Sequence, residues 1–292
     1  MLIYMKLILT AIFWGGTFIA GRAIAGSVDP FSAAFLRFAV ASVLLFPLAW
    51  REEGHLPLIK REQILPLVLA GMTGVFAYNI FFLNGMKFIA AGRASLIVAM
   101  NPVFISLLAV LFFKDRLNWV RGTGILLSVF GAMIVISKGN FNTLVSDGLG
   151  RGELLILGGV ASWAAFSIIG KILVKGLSPL VSVSYSSLIG AAALFLPACF
   201  GGMLEEMFSY SLVDWTSIFF LGVFGTVLGF VWYYEGIRKI GPTKAGQFIN
   251  FVPISAVLLA FLILGEPITW SLLTGGLFVI SGVFLTNMKS SA

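Results

Sequence analysis

Residues 98–104 read VAMNPVF, an asparagine and a proline in the middle of an apolar run. Proline has no N–H to donate, and its ring clashes with the turn before it, so a helix through this stretch must kink or break. The kink frees a carbonyl one turn earlier, at Val98. In lipid a freed carbonyl is costly unless another group satisfies it. Asn101 is close enough to help, and so is a watery cavity. Pro253 repeats the situation, with the freed carbonyl at Ile249 and Asn250 nearby. A matched pair of interrupted helices in two halves of a chain is the best sequence pointer to a transporter's binding site. The same residues also fit kinks that only shape packing.

The surrounding composition makes hydrocarbon the expected solvent. The chain of 292 residues is 59% hydrophobic and only 11% charged, against about 25% charged in soluble domains. Crossing a bilayer takes about 20 apolar residues. Ten stretches qualify: 3–24, 31–49, 64–84, 92–113, 118–137, 153–173, 179–200, 213–235, 243–264 and 269–288. The longest linkers, 50–63 and 138–152, are too short to hold a domain. The sequence therefore predicts an all-α membrane protein with ten transmembrane helices and excludes a large soluble enzyme core. The single cysteine, Cys199, excludes an internal disulfide or a cysteine metal site. The single histidine, His55, lies in the charged linker REEGH. No metal or cofactor is expected. The net charge of +7 reports topology rather than nucleic-acid binding.

Shifted by about 150 residues, the chain falls on itself. Trp14 meets Trp163, Arg22 meets Lys171, and Asp29-Pro30 meets Ser178-Pro179. Gly71 and Gly74 meet Gly222 and Gly225; Pro102 meets Pro253, Asp115 meets Glu266, and Gly131 meets Gly282. The halves are 1–138 and 139–292, each with five spans. An odd number makes the second copy enter the membrane from the opposite side. The expectation is two inverted five-helix repeats around a central cavity, the architecture of alternating-access transporters. Residues 1–25 loosely fit a cleaved signal peptide, but the first span belongs to the repeat and is expected to stay.

Basic residues set the orientation. Of the 19 lysines and arginines, thirteen lie on the N-terminal side of the spans and five on the other, with Arg37 inside a helix. Both termini are therefore expected to be cytoplasmic. All twelve acidic residues lie at or near helix ends. Proton-coupled pumps often carry a carboxylate or histidine relay within the membrane. The lack of one here predicts facilitated transport.

Polar and aromatic residues at mid-depth are the candidate cavity lining, since buried polar groups in membranes face the bundle interior. They are Trp14, Tyr78, Asn79, Asn101, Trp163, Ser167, Gln247, Phe248 and Asn250, with Trp163 foremost. Some will be packing devices instead, because interhelix hydrogen bonds are common glue. Pro102, Pro253, Gly74 and Gly225 are the candidate hinges. Arg37, in AAFLRFAVAS, binds a substrate carboxylate, snorkels outward, or ties its helix to a carbonyl or acid in the bundle. Its counterpart in the second half is Ser186, so the structural role is preferred.

The set of motifs resembles a known family. FWGGTF in the first span, FLRF in the second, NGMK and EGIRKIGP, the paired prolines, and the short DRL and GEPI turns resemble the drug/metabolite transporter superfamily. The likeness is greatest to its EamA-type exporters, notably bacterial exporters of amino acids and aromatic metabolites. It covers the whole chain. The resemblance implies an inner-membrane exporter with cavity walls from spans 1, 3, 4, 6, 8 and 9. Its expected partners are the lipid bilayer and a small-molecule substrate, and ten helices with an internal twofold are expected to suffice as a monomer. Phosphate-binding relatives place lysine or arginine in the cavity. The deep positions here are mostly neutral and aromatic, which favours amphipathic or zwitterionic cargo. A multidrug exporter is the alternative. An enzyme would need a nucleophile with a base, or a metal site.

Overall fold

The computed structural model describes residues 2–55, 58–101, 103–105, 107–108, 119–140, 149–240 and 248–287, and the regular structure among them is helical. In chain order the helices are α1 (Leu2–Ala23), α2 (Pro30–Glu53), α3 (Arg61–Met86), α4 (Ala91–Val98), α5 (Trp119–Ile136), α6 (Arg151–Leu173), α7 (Pro179–Phe200), α8 (Leu212–Ile240), α9 (Phe251–Leu264) and α10 (Trp270–Asn287). One further turn spans Met203–Glu206. Six of these, α1 to α3 and α6 to α8, are long and apolar enough to cross a membrane; the others are shorter apolar helices.

Two of the short helices adjoin the proline-bearing stretches. Described α-helix in α4 ends at Val98, and Pro102 lies outside the described residues. In front of α9 the chain makes a 3₁₀ turn, Phe248–Asn250, and Pro253 falls in the first turn of the α-helix that follows. A proline costs little there, because first-turn N–H groups have no partner within the helix anyway. The interruption at this end is thus a change of helix type, where the sequence suggested a mid-helix kink.

Helix starts follow local chemistry. Asp29 caps α2, its carboxylate accepting from the N–H groups of Phe31 and Ser32 at 2.9 and 3.1 Å, with Pro30 in the first position. Ser178 and Pro179 do the same for α7. A capping side chain satisfies an N–H that the helix cannot, and proline is pre-shaped for the next position. Glu266, after α9, accepts from the N–H groups of Ala91 and Gly92 at 2.8 and 3.1 Å, so a distant turn caps α4.

The long helices α3 and α8 share an irregularity. Gly71–Ala77 and Leu221–Leu228 are π-helical. A π segment holds an extra residue per turn and commonly marks a functional site. Gly74 and Gly225 lie inside these segments.

The most extensive helix contacts join early helices to late ones: α5 with α10, α2 with α7, α1 with α9 and α8, and α3 with α6. Glycines allow the closest of these. A Cβ on Gly124 would stand 2.6 Å from the Gly282 carbonyl oxygen, and one on Gly131 would stand 2.6 Å from that of Gly275. On Gly71 it would meet the Ser186 oxygen at 2.9 Å, and on Gly222 the Arg37 oxygen at 2.9 Å. Small residues let backbones touch where water drives nothing together. Phe38, Leu45, Phe82, Met86, Ile156 and Leu194 fill the interior, while Leu2, Val43, Leu126 and Leu262 stand exposed. Such outward apolar rows suit lipid.

Charged residues tie the helix ends. Arg93 pairs with Glu153 at 2.7 Å and also donates to the Ile136 carbonyl, joining α4, α5 and α6. The Glu153 side chain is only 7% exposed. Removing one partner of a buried pair strands the other, at about 3 kcal/mol or more. Arg93→Ala is therefore expected to lower the thermal midpoint clearly in detergent. Adding Glu153→Gln is expected to recover part of the loss. A double variant as unstable as the single would contradict this account.

Candidate functional site

A cavity lies among the interrupted and π-helical segments. It is lined by Trp14, Thr17 and Phe18 of α1, Arg37 of α2, Tyr78 and Phe82 of α3, Val98 and Asn101 of the α4 stretch, Trp163 of α6, Phe230 of α8, and Ile249 and Val252 at the start of α9. Its volume is about 50 Å³. That takes a few water molecules, far below the roughly 300 Å³ of a small-molecule pocket. A metabolite would need the walls to part.

The wall is an aromatic cage with Trp163 at its centre. The Trp163 ring lies 6.0 Å from Trp14 at 81°, 5.1 Å from Tyr78 and 5.4 Å from Phe230. Tilted and edge-on rings are the favoured aromatic geometries. Trp14 is anchored, its indole N–H donating to the Gly225 carbonyl at 2.9 Å. Glycine at 229 makes room for this indole, since a Cβ there would come within 2.5 Å of Trp14 Nε1. The Trp163 N–H has no hydrogen-bond partner among the described residues, and the residue lines the cavity.

Arg37 is the charge in the wall. It is only 4% exposed. Its Nε donates to Thr226 Oγ1 at 3.0 Å and its Nη1 to Asn79 Oδ1 at 2.9 Å. Asn79 in turn donates to the Val75 carbonyl at 2.7 Å, and Thr226 to that of Leu221 at 3.0 Å. One guanidinium thus ties α2 to the π-helical regions of both α3 and α8. Sequence reasoning preferred a structural role and left Arg37 out of the site. The structure gives it structural partners and also places it on the cavity. The legible signal was a lone arginine in an apolar span.

The other candidate residues divide. Trp14, Tyr78, Asn101 and Trp163 line the cavity together. Asn79 is buried behind it, held by Arg37. Ser167 turns back to the Trp163 carbonyl of its own helix at 2.8 Å. Phe248 lies in a tight adjoining crevice with Leu7, Trp14 and Tyr233, and its ring meets Tyr4 at 5.9 Å. Asn250 is half-buried at the start of α9. Gln247 and Pro102 lie outside the described residues. Gly74 abuts the Phe166 ring, and a Cβ on Gly225 would stand 2.7 Å from Thr17 Cγ2. Near the crevice Lys6 pairs with Glu235 at 2.7 Å. No group of three or more His, Cys, Asp or Glu residues arranged to hold a metal occurs among the described residues.

Comparisons with known proteins agree in kind. The sequence model of the EamA-like transporter family matches residues 1–137 and 150–288. The uncharacterized transporter YyaM of Bacillus subtilis is 30% identical, over 98% of this chain and 93% of its own length. A probable terminal-alkyne amino-acid exporter of Streptantibioticus cattleyicolor is 27% identical, over 97% of this chain and 88% of its own. A crystal structure covers 97% of both chains with a TM-score of 0.67 at 18% identity, a likeness of fold.

Proposed function

We infer, from the premise that this chain belongs to the EamA-like transporter family, that it exports amino acids or similar small amphipathic metabolites. The family makes it a multi-pass membrane transporter, not an enzyme. Export proceeds by alternating access and without a proton gradient. The membrane is the bacterial-type inner membrane, with both termini in the cytoplasm, and the working unit is a monomer.

The observation that carries this reading is the aromatic cavity gathered from helices early and late in the chain. Val98 and Ile249, the residues preceding the paired prolines by one turn, both face it, as do Trp14 and Trp163. Two inverted five-helix repeats, 1–138 and 139–292, account for that symmetry. They also account for the matching π segments and for the family's two matched stretches. In the same reading Pro102, Pro253, Gly74 and Gly225 are the hinges, and the Lys6–Glu235 pair with the Tyr4–Phe248 contact closes the N-terminal side. Asn101, Tyr78, Trp14 and Trp163 touch substrate directly, with Asn79 behind them and Ser167, Gln247, Phe248 and Asn250 bordering the route. The amino-acid class rests on the neutral aromatic lining and on the named exporter among the relatives.

The test is counterflow in proteoliposomes. Purified protein is expected to exchange labelled amino acids in a saturable way, at the same rate with and without a pH gradient. Strict dependence on the gradient would overturn the facilitated mechanism. Exchange of bulky cationic drugs but of no amino acid would move the assignment to a multidrug exporter.

A further inference from the structure

We propose that Arg37 is the anion-recognising group of the cavity and binds the carboxylate of the transported molecule. The inference deepens the carrier reading and rests on it. Arg37 is 96% removed from solvent contact, being 4% exposed. No carboxylate lies within ion-pair distance of it among the described residues, where the only pairs are Lys6–Glu235 and Arg93–Glu153. A buried charge without a counter-charge is expensive. A donor that only had to bridge Thr226 and Asn79 would need no charge at all.

The geometry leaves one face of the fork unused. Nε and Nη1 are taken by the Thr226 and Asn79 oxygens, which hold the guanidinium plane in place. Among the described residues Nη2 has no hydrogen-bond partner. Nη2 also belongs to a side chain that lines the cavity, and a Cβ on Gly225 would come within 3.6 Å of it. Planar guanidinium is the preferred receptor for a carboxylate. A second polar group on the same cavity is also unsatisfied: Asn101 Oδ1 is buried with no partner. A charged donor and an unpaired amide, set in an aromatic cage, fit a small organic acid with an apolar body. The amide is placed to meet an ammonium when the acid is an amino acid.

Four related probes test this in counterflow: phenylalanine, phenylalaninamide, phenethylamine and 3-phenylpropanoate. Wild-type protein is expected to carry or bind the two carboxylates about ten- to a hundred-fold better than the amide and the amine, the range of one charged hydrogen-bonded contact. Arg37→Gln is expected to raise KM for phenylalanine by a similar factor and to close the gap between acid and amide. Arg37→Lys should fall between. Equal handling of phenylalanine and its amide by wild-type protein would overturn the proposal and leave the carrier reading standing. That comparison needs no variant to fold. A purely structural Arg37 would instead lower flux of acid and amide equally in Arg37→Gln, which also overturns it. Carriage of 3-phenylpropanoate but not phenylalanine, lost in Arg37→Gln, would support Arg37 while removing amino acids as the cargo.

Discussion

Trp163→Ala is expected to cut amino-acid exchange on the order of 30-fold, equivalent to about 2 kcal/mol of lost binding, the scale of a central aromatic anchor. The ring meets Trp14, Tyr78, Phe166 and Phe230, and its N–H has no hydrogen-bond partner among the described residues. Truncation removes both the donor and the apolar wall. The loss should appear chiefly in KM. Trp163→Phe keeps a ring and is expected to retain most binding of aromatic substrates, losing the part owed to the N–H. A thermal midpoint measured alongside separates this from misfolding. Unchanged exchange in Trp163→Ala would place the binding site elsewhere.

The second large effect falls on the α5–α10 pair. A Cβ on Gly282 would stand 2.5 Å from the Gly124 carbonyl oxygen and 2.5 Å from Ser128 N, both backbone atoms that no rotamer change can move. Gly282→Ala is expected to cost about 1–3 kcal/mol through overpacking. At roughly 2–4 °C per kcal/mol for a chain of this order, the midpoint should drop by several degrees, and Gly282→Leu should drop it further. Gly122 is the control, because a Cβ there meets nothing within 4 Å. Gly122→Ala should be neutral or slightly stabilising, since glycine is the poorer helix former. Equal responses at positions 122 and 282 would contradict the contact described.

Much of the architecture was legible because membrane helices state themselves plainly. The apolar runs located the helices; Asp29-Pro30 and Ser178-Pro179, read only as a repeat pair, prove to be the caps of α2 and α7. The cavity was partly legible. Trp14, Tyr78, Asn101 and Trp163 stood out as polar or aromatic at depth. Depth along a helix does not reveal its facing, and so Ser167 joined that group although its hydroxyl serves its own backbone. The π segments were hidden, because an extra residue in a turn has no composition of its own; only Gly74 and Gly225 hinted at them. Arg37 was judged by its repeat partner Ser186. The asymmetry was taken as a reason against function, yet a cargo with one charged end needs only one receptor. The glycine seam of α5 and α10 was not legible: Gly131 and Gly282 stood out only as a repeat pair, and the pairing of Gly131 with Gly275 and of Gly124 with Gly282 depends on which faces meet.

Arg37 also sets a problem of timing. Its nearer partner, Asn79, follows it by 42 residues, but Thr226 follows by 189. At about 5–20 residues per second of synthesis, the guanidinium enters the bilayer roughly 10–40 seconds before the helix that completes its shell exists. Throughout that interval a cation in hydrocarbon has one neutral acceptor at most. The nascent first half must therefore be sheltered by the insertion machinery, or leave α2 near the interface, until α8 arrives. Birth order thus adds a demand on this chain that the finished structure does not display.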